Sequence, residues 1–266
     1  MTKVRTKILF IGAGRMAQAI IGGLAGNERF SITASNNDNE ERLHYVKAAY
    51  GISVSNDWRQ EVANSDIVLL AMPPEIHPPL LEDLARLIDN QLVITVAAGI
   101  SPSLLEDALP EGTPVAWVMP NTAARLSESS TLYAAGKHVE LHHKQLLEEI
   151  LMGIGAFENV TEEQLYELTA ITGSAPAFIY RIAESLKNQA AAVGISEQQA
   201  RKLVAQMIAG SAAMLQTGED PAELADQVAT PGGSTAAGLR VLDEKGIDQL
   251  MQQAVTACRE KSRQDH

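Results

Sequence analysis

A single cysteine, Cys258, stands in 266 residues. No internal disulfide can form, which fits a reducing cytosol, and the residue itself reads as a small buried apolar side chain. Aromatic residues make up only 4%, so Ala, Leu, Ile and Val have to build the core. Positive charge is scarce: 21 Lys and Arg against 33 Asp and Glu leave a formal net charge of -12. That excludes the basic face a nucleic-acid partner needs and opposes adsorption to anionic lipid. An anionic substrate would have to be held by local N–H donors against the global field. No apolar run approaches the roughly 20 residues of a membrane-spanning helix. The basic opening Met1-Thr2-Lys3-Val4-Arg5-Thr6-Lys7 runs straight into a β-like segment without a small-residue cleavage site. No signal peptide is therefore expected, and a cytoplasmic location is. Metal-ligand sets are missing as well. His138, His142 and His143 cluster without cysteine or paired carboxylate at ligand spacing, and read as a solvated patch; His44 and His77 are isolated. Nothing resembles a nucleophile elbow or a Ser/His/Asp set.

What is present is alternation. Apolar runs at Ile8–Ile11, Phe30–Ala34, Ile67–Met72, Leu92–Ala97, Val115–Val118 and Thr131–Ala135 read as strands, with a short one marked by Ile52 and Val54. Between them lie helical patterns at Met16–Ala25, Glu40–Tyr50, Leu80–Ile88 and Leu141–Met152, and Ser101-Pro102 reads as an N-cap with proline at the first helical position. Repeated strand–helix alternation predicts an α/β fold: a doubly wound, Rossmann-type parallel sheet with helices on both faces. Near Glu158 the pattern changes. Thr161 with Gln164, and Ser196 with Gln199, form capping-box pairs, and Asp220-Pro221 caps a further helix. Almost everything there reads as helix, so the expected division is residues 1–159 for the sheet domain and 160–266 for an all-α domain. The segment Ala175–Ala192 is apolar around most of its circumference. A domain of roughly a hundred residues has difficulty surrounding such a helix alone, which predicts a homodimer joined through the C-terminal helices.

The first strand leads into Gly12-Ala13-Gly14-Arg15-Met16-Ala17, a G-x-G-x-x-A pattern at a strand-to-helix junction. Gly12 permits the tight turn, Gly14 lets backbone approach a pyrophosphate, and Ala17 lets helix and strand pack closely. The helix N-terminus then offers N–H groups to phosphate. The plain alternative is a glycine-rich structural turn. About 20 residues further on, NAD-binding sheets place an acid on the ribose hydroxyls. Here that position holds Ser35-Asn36-Asn37, which removes repulsion against a 2′-phosphate and points to NADP(H), with NAD(H) possible; Asp38, Glu40 and Arg42 follow. In the helical half, Thr230-Pro231-Gly232-Gly233-Ser234-Thr235 precedes a helix. Exposed N–H groups and two hydroxyls there make an anion cradle suited to a small carboxylate, or else an ordinary capped Pro-Gly turn. Met119-Pro120-Asn121-Thr122, at a strand end, and Thr172-Gly173-Ser174-Ala175-Pro176-Ala177 are further candidates.

With Val96-Ala97-Ala98-Gly99 added, these segments are similar, nearly end to end, to the pyrroline-5-carboxylate reductases. The resemblance implies a Rossmann domain followed by a helical domain that interlocks two subunits, with dimers able to associate further. It implies reduction of 1-pyrroline-5-carboxylate to L-proline by NAD(P)H, the last step of proline biosynthesis. It places the substrate carboxylate on Gly232, Gly233, Ser234 and Thr235, with Thr235 also near the ring nitrogen as the catalytic candidate and Asn121 as a further substrate contact. It places the cofactor on Gly12, Ala13, Gly14, Arg15, Met16, Ala17, Ser35 and Asn36, with Met72, Pro73, Ala97 and Ala98 lining the nicotinamide half. Five positions depart from the common pattern: Asn37 for an arginine, Pro73 for a lysine, Trp117 for an arginine, Ala123 for a proline, Ala175 for a glycine. A catalytically impaired NADP-binding regulator is the alternative those departures support, and the intact Gly232–Thr235 loop opposes it. A 3-hydroxyacid dehydrogenase would carry a lysine one turn into the long helix, where Ala177-Phe178-Ile179-Tyr180 stands instead, with no lysine until Lys187.

Overall fold

Neighbouring residues along the central strands go to opposite faces of one sheet, and both faces are buried. The computed structural model describes residues 5–36 and 39–264. Positions 1–4, at the start of the basic opening, and Asn37 and Asp38, beside the ribose candidates, lie outside the described residues. In β1 (Thr6–Ile11), Ile8 and Phe10 join one core and Leu9 and Ile11 the other. α1 (Arg15–Leu24) buries Ala17, Ile20, Ile21 and Leu24 in the first of these. β2 (Phe30–Ser35), α2 (Glu40–Tyr50) and β3 (Ser53–Ser55) carry the sheet to one edge. α3 (Arg59–Val62), β4 (Ile67–Leu70), α4 (His77–Leu84), β5 (Leu92–Thr95), α5 (Pro102–Ala108) and β6 (Val115–Met119) build the other side. Leu81, Leu84 and Leu105 cover the second face. β7 (Ser129–Ala135), α6 (Leu141–Met152) and β8 (Gly155–Asn159) complete an eight-stranded sheet of order β3-β2-β1-β4-β5-β6-β7-β8. The near-continuous apolar strands are what a parallel sheet covered on both faces requires.

Three local expectations are corrected. β7 runs antiparallel to β6, while the other pairings are parallel. The connection holds only the short 3-10 turn Thr122–Leu126, and a reversal needs no more, whereas a parallel return needs a crossover of about a dozen residues. β8, which pairs with β7, was not foreseen: half of it is exposed and its sequence carries no strong alternation. The helix expected at Leu80–Ile88 begins at His77, after a 3-10 turn at Pro74–Ile76, and ends at Leu84. Pro78 and Pro79 sit in its first turn, where the missing N–H groups cost nothing.

The chain divides into two compact units, Met1–Gly173 with Lys261–His266, and Ser174–Glu260. The last strand ends at Asn159, and α7 (Glu162–Thr169) still packs in the first unit, through Leu165 against Trp117 and Leu132. A π-helical turn, Ala170–Ser174, follows. The second unit is helical: α8 (Ala175–Ala192), α9 (Glu197–Leu215), α10 (Pro221–Val228), α11 (Ser234–Glu244) and most of α12 (Ile247–Gln264). Thr161 and Ser196 cap α7 and α9 in capping boxes with Gln164 and Gln199, and Asp220 caps α10 by accepting from Ala222 N at 2.8 Å. Among the described residues of Ser174–Glu260, Ala200 and Val204 alone are buried.

Candidate active site

At or just beyond the carboxyl ends of β1, β2, β4, β5 and β6 lie the candidates of the first unit apart from Thr172-Gly173, which fall in the π-helical turn. The strand order reverses between β1 and β4, and open α/β sheets bind ligands at that point. Gly12 has φ +104°, a region that L side chains rarely occupy. A Cβ there would lie 2.5 Å from the Ala71 carbonyl oxygen, so the loop after β1 runs against the residue that follows β4. Gly12 N donates to Ser35 O at 2.8 Å, and Ala13 N to Asn36 Oδ1 at 3.3 Å, which ties the glycine loop to the end of β2. Gln18 Nε2 holds Ala13 O at 2.8 Å. Gly14 is the N-cap of α1 with extended backbone and no side-chain cap, and a Cβ built on it meets nothing within 4 Å. Ala17 is fully buried.

This cradle fits a dinucleotide. One glycine is closed by neighbouring backbone, and the next has no atom within 4 Å of where its Cβ would stand, the kind of room a close-approaching pyrophosphate needs. At the β2 end Ser35 is fully buried, with an Oγ that meets no partner among the described residues. No carboxylate belongs to the described end of that strand.

Met72 is half-buried and Pro73 exposed, after β4; Ala97 is buried and Ala98 exposed, after β5. His77, isolated in the sequence, is not isolated in the fold. It is wholly buried, with Nδ1 3.2 Å from Pro73 O and Nε2 3.0 Å from Thr95 Oγ1. Thr95 Oγ1 in turn accepts from Ala97 N at 3.2 Å. Burial holds the His77 pKa below its ordinary value, against the opposing pull of the Pro73 and Pro74 carbonyls and Glu75. No sequence signal marks this contact, because it depends on β4 and β5 being neighbours.

Asn121 caps the 3-10 turn: its Oδ1 accepts from Ala123 N at 2.9 Å, and its Nδ2 donates to Thr172 O, in the π-helical turn, at 3.0 Å. A proline at position 123 would have no such N–H. π-turns often mark functional sites.

In the second unit Gly232 has φ +76° and Gly233 is the N-cap of α11 with no side-chain cap. Gly233 N closes the turn on Thr230 O at 2.9 Å, and Ala237 N returns to Gly233 O at 3.2 Å. The first-turn N–H groups and the hydroxyls of Ser234 and Thr235 have no described partner within the chain. Such a turn can hold an anion without formal charge. The candidates thus lie in two groups, Gly12–Ala17, Ser35, Asn36, Met72, Pro73, Ala97, Ala98 and Asn121 on the first unit and Gly232–Thr235 on the second.

A doubly wound sheet with a glycine-rich crossover at its switch point, joined to a helical unit, defines a nicotinamide-nucleotide oxidoreductase of the Rossmann type. The family described as pyrroline-5-carboxylate reductase dimerisation matches residues 162–265, and that described as NADP oxidoreductase, coenzyme F420-dependent, matches residues 7–99. The chain is 37% identical over 262 residues to a pyrroline-5-carboxylate reductase of Methanosarcina acetivorans, covering 97% of each. It is 35% identical over 263 residues to pyrroline-5-carboxylate reductase 1 of Bacillus subtilis, covering 97% of this chain and 89% of that one. A solved pyrroline-5-carboxylate reductase from Coxiella burnetii superposes with a TM-score of 0.89 at 30% identity over 98% of both chains. The chain belongs to the pyrroline-5-carboxylate reductase family. Neither the regulator nor the hydroxyacid dehydrogenase alternative is favoured by these relatives.

Proposed function

We propose that this chain reduces the C=N bond of 1-pyrroline-5-carboxylate to give L-proline, using NADPH in preference to NADH. The observation that carries the reading is the coexistence of an open dinucleotide cradle at Gly12–Ala17 with a neutral anion cradle at Gly232–Thr235 in one chain of this family. A reduced nicotinamide, when bound, supplies hydride to C5 of the imine. Gly14, Arg15 and Met16 offer backbone N–H groups at the start of α1 to the pyrophosphate. Ser35 and Asn36 face the ribose end, where the lack of a carboxylate removes repulsion against a 2′-phosphate. Met72, Pro73, Ala97 and Ala98 shape the nicotinamide half. Gly232, Gly233 and Ser234 take the substrate carboxylate. Thr235 adds its hydroxyl near the ring nitrogen, and the second Nδ2 proton of Asn121 is left for a substrate contact. A protonated iminium is already electrophilic, so alignment and exclusion of water supply most of the acceleration.

The active form we propose is a homodimer joined through the second unit. Ile179, Tyr180, Leu203 and Leu250 are exposed in the isolated chain. A groove of about 580 Å³ between α8 and α12, lined by Phe178, Ile182, Leu250 and Met251, is open for a partner's apolar side chains. A unit with two buried side chains cannot hold itself together, so the missing core comes from a second copy. No described helix is long and apolar enough to cross a membrane, and we place the enzyme in the cytoplasm. Steady-state assays of 1-pyrroline-5-carboxylate with NADPH and NADH test the reading. It expects turnover with both and a higher kcat/KM for NADPH; equal values would remove the cofactor preference.

A further inference from the structure

Pro73 offers the cofactor no side-chain donor, so it can serve only through its shape and the path of its backbone. Something must hold that path, and the hydrogen bonds around His77 do. A carbonyl oxygen only accepts, so the Pro73 contact requires the proton on Nδ1. In a neutral imidazole Nε2 is then bare and accepts from the Thr95 hydroxyl. The Thr95 oxygen keeps a lone pair for the Ala97 N–H. The chain of donors therefore runs in one sense: Ala97 N–H to Thr95 Oγ1, Thr95 O–H to His77 Nε2, His77 Nδ1–H to Pro73 O. Both ring nitrogens are engaged, Thr95 Oγ1 both accepts and donates, and Pro73 O also accepts from Ile76 N at 3.1 Å; the ring is wholly buried.

We propose that neutral His77, in its Nδ1–H form, is a positioning residue that locks the Met72-Pro73 loop to the Thr95–Ala97 loop and so fixes both walls of the nicotinamide half of the site. This rests on the assignment of those loops to the cofactor. The ring touches neither substrate nor cofactor; it acts through the two backbones. The imidazole cannot become a general acid for the imine, because both its nitrogens are engaged inside the fold. Protonation would put a second N–H against the Thr95 oxygen and force its hydroxyl proton to turn away. Burial opposes that charge, which keeps the lock closed at neutral pH.

The test compares wild type, His77→Leu, His77→Asn and Thr95→Val for NADPH affinity by fluorescence titration and for steady-state kinetics, well below each thermal midpoint. His77→Leu breaks both bonds at similar volume, and about tenfold weaker NADPH binding is expected, from two lost neutral hydrogen bonds. The KM for the imine stays within about twofold, because the carboxylate cradle lies on another unit; a loss that is purely structural would lower both together. His77→Asn retains a donor for Pro73 O and recovers part of the affinity. Thr95→Val matches His77→Leu, and the double variant adds nothing further. Imidazole 15N shifts of the native enzyme, which need no variant to fold, show a protonated Nδ1 and a bare Nε2. Native NADPH affinity in His77→Leu, equal losses for cofactor and imine, or a proton on Nε2 overturns the proposal. A wild type that fails to bind NADPH overturns the cofactor reading beneath it, and the 15N result then still reports on the lock alone.

Discussion

Trp117 Nε1 donates to the carbonyl of Ala97 across 2.8 Å, from a ring that is 1% exposed. The indole meets the Tyr166 ring edge-on, centroids 4.7 Å apart at 64°, and Tyr166 OH donates to Gly99 O at 3.2 Å. The two aromatics therefore brace both ends of Ala97-Ala98-Gly99 from below. An arginine, common at position 117 in the resemblance, would be a buried charge here; the indole supplies a donor without one.

Trp117→Phe keeps most of the packing and leaves the Ala97 carbonyl buried without that donor. The unfolding free energy falls by about 1–3 kcal/mol, and NADPH binds more weakly because the loop relaxes. Urea denaturation with cofactor titration checks both, and an unchanged midpoint would contradict the bracing role.

The two loop glycines separate by experiment. Gly12→Ala forces a Cβ to 2.5 Å from a backbone oxygen at φ +104°, so both stability and cofactor binding are lost. Gly14→Ala meets no atom within 4 Å, so stability stays within about 0.5 kcal/mol. Its methyl still stands where the pyrophosphate must approach, and affinity drops on the order of tenfold. Thermal melts beside NADPH titrations distinguish the pair. Tight binding by Gly14→Ala would show that the phosphates lie elsewhere.

Thr235→Ala removes a hydroxyl from the second unit's cradle. A hydrogen bond to a charged group is worth about 1.5–3 kcal/mol, so kcat/KM for the imine drops about ten- to a hundredfold while NADPH affinity holds. Equal turnover by the variant would remove Thr235 from the site.

Burial lowers the His77 pKa in the folded chain, while in the unfolded chain it returns to about 6.5. Below that value the unfolded state binds the extra proton and the folded state does not. Stability from this group is thus complete above about pH 7, declines as the pH falls through 6.5, and levels off below the folded pKa. His77→Asn lacks this slope. Unfolding free energies of the two proteins, compared from pH 8 to 5, converge on acidification; parallel curves would mean that His77 titrates normally.

Parts of this arrangement are legible in the chain and parts are not. Ile67–Met72 and Leu92–Ala97 read as buried parallel strands because both faces demand apolar side chains, and the strands there run Ile67–Leu70 and Leu92–Thr95; Thr161 and Ser196 announce their helices through local capping chemistry. The direction of β7 depends on how a short turn leaves β6, and no periodicity encodes that. His77 looks isolated because Thr95 lies 18 residues away and only strand adjacency brings them together. Asn121 reads as a substrate contact from its place at a strand end, yet much of its amide is spent on Ala123 and Thr172. The turn at Gly232–Thr235 is readable because glycines ahead of a helix start are a local signal, and the structure has Gly233 as the N-cap there.

If the second unit completes its core only in a dimer, the thermal midpoint rises with protein concentration. Ile182→Glu, which puts a charge into the α8–α12 groove, yields a monomer that has lost both midpoint and turnover. Analytical ultracentrifugation with melts at several concentrations decides it, and a stable, active monomer would contradict the shared core.

The most direct measurement is label transfer. The enzyme is given 1-pyrroline-5-carboxylate with NADPH carrying deuterium at nicotinamide C4, one face at a time, and the product is read by NMR. The account predicts L-proline with one deuterium at C5 from one face and none from the other. A protein that binds NADPH yet forms no proline, or forms it without label from either face, would contradict it.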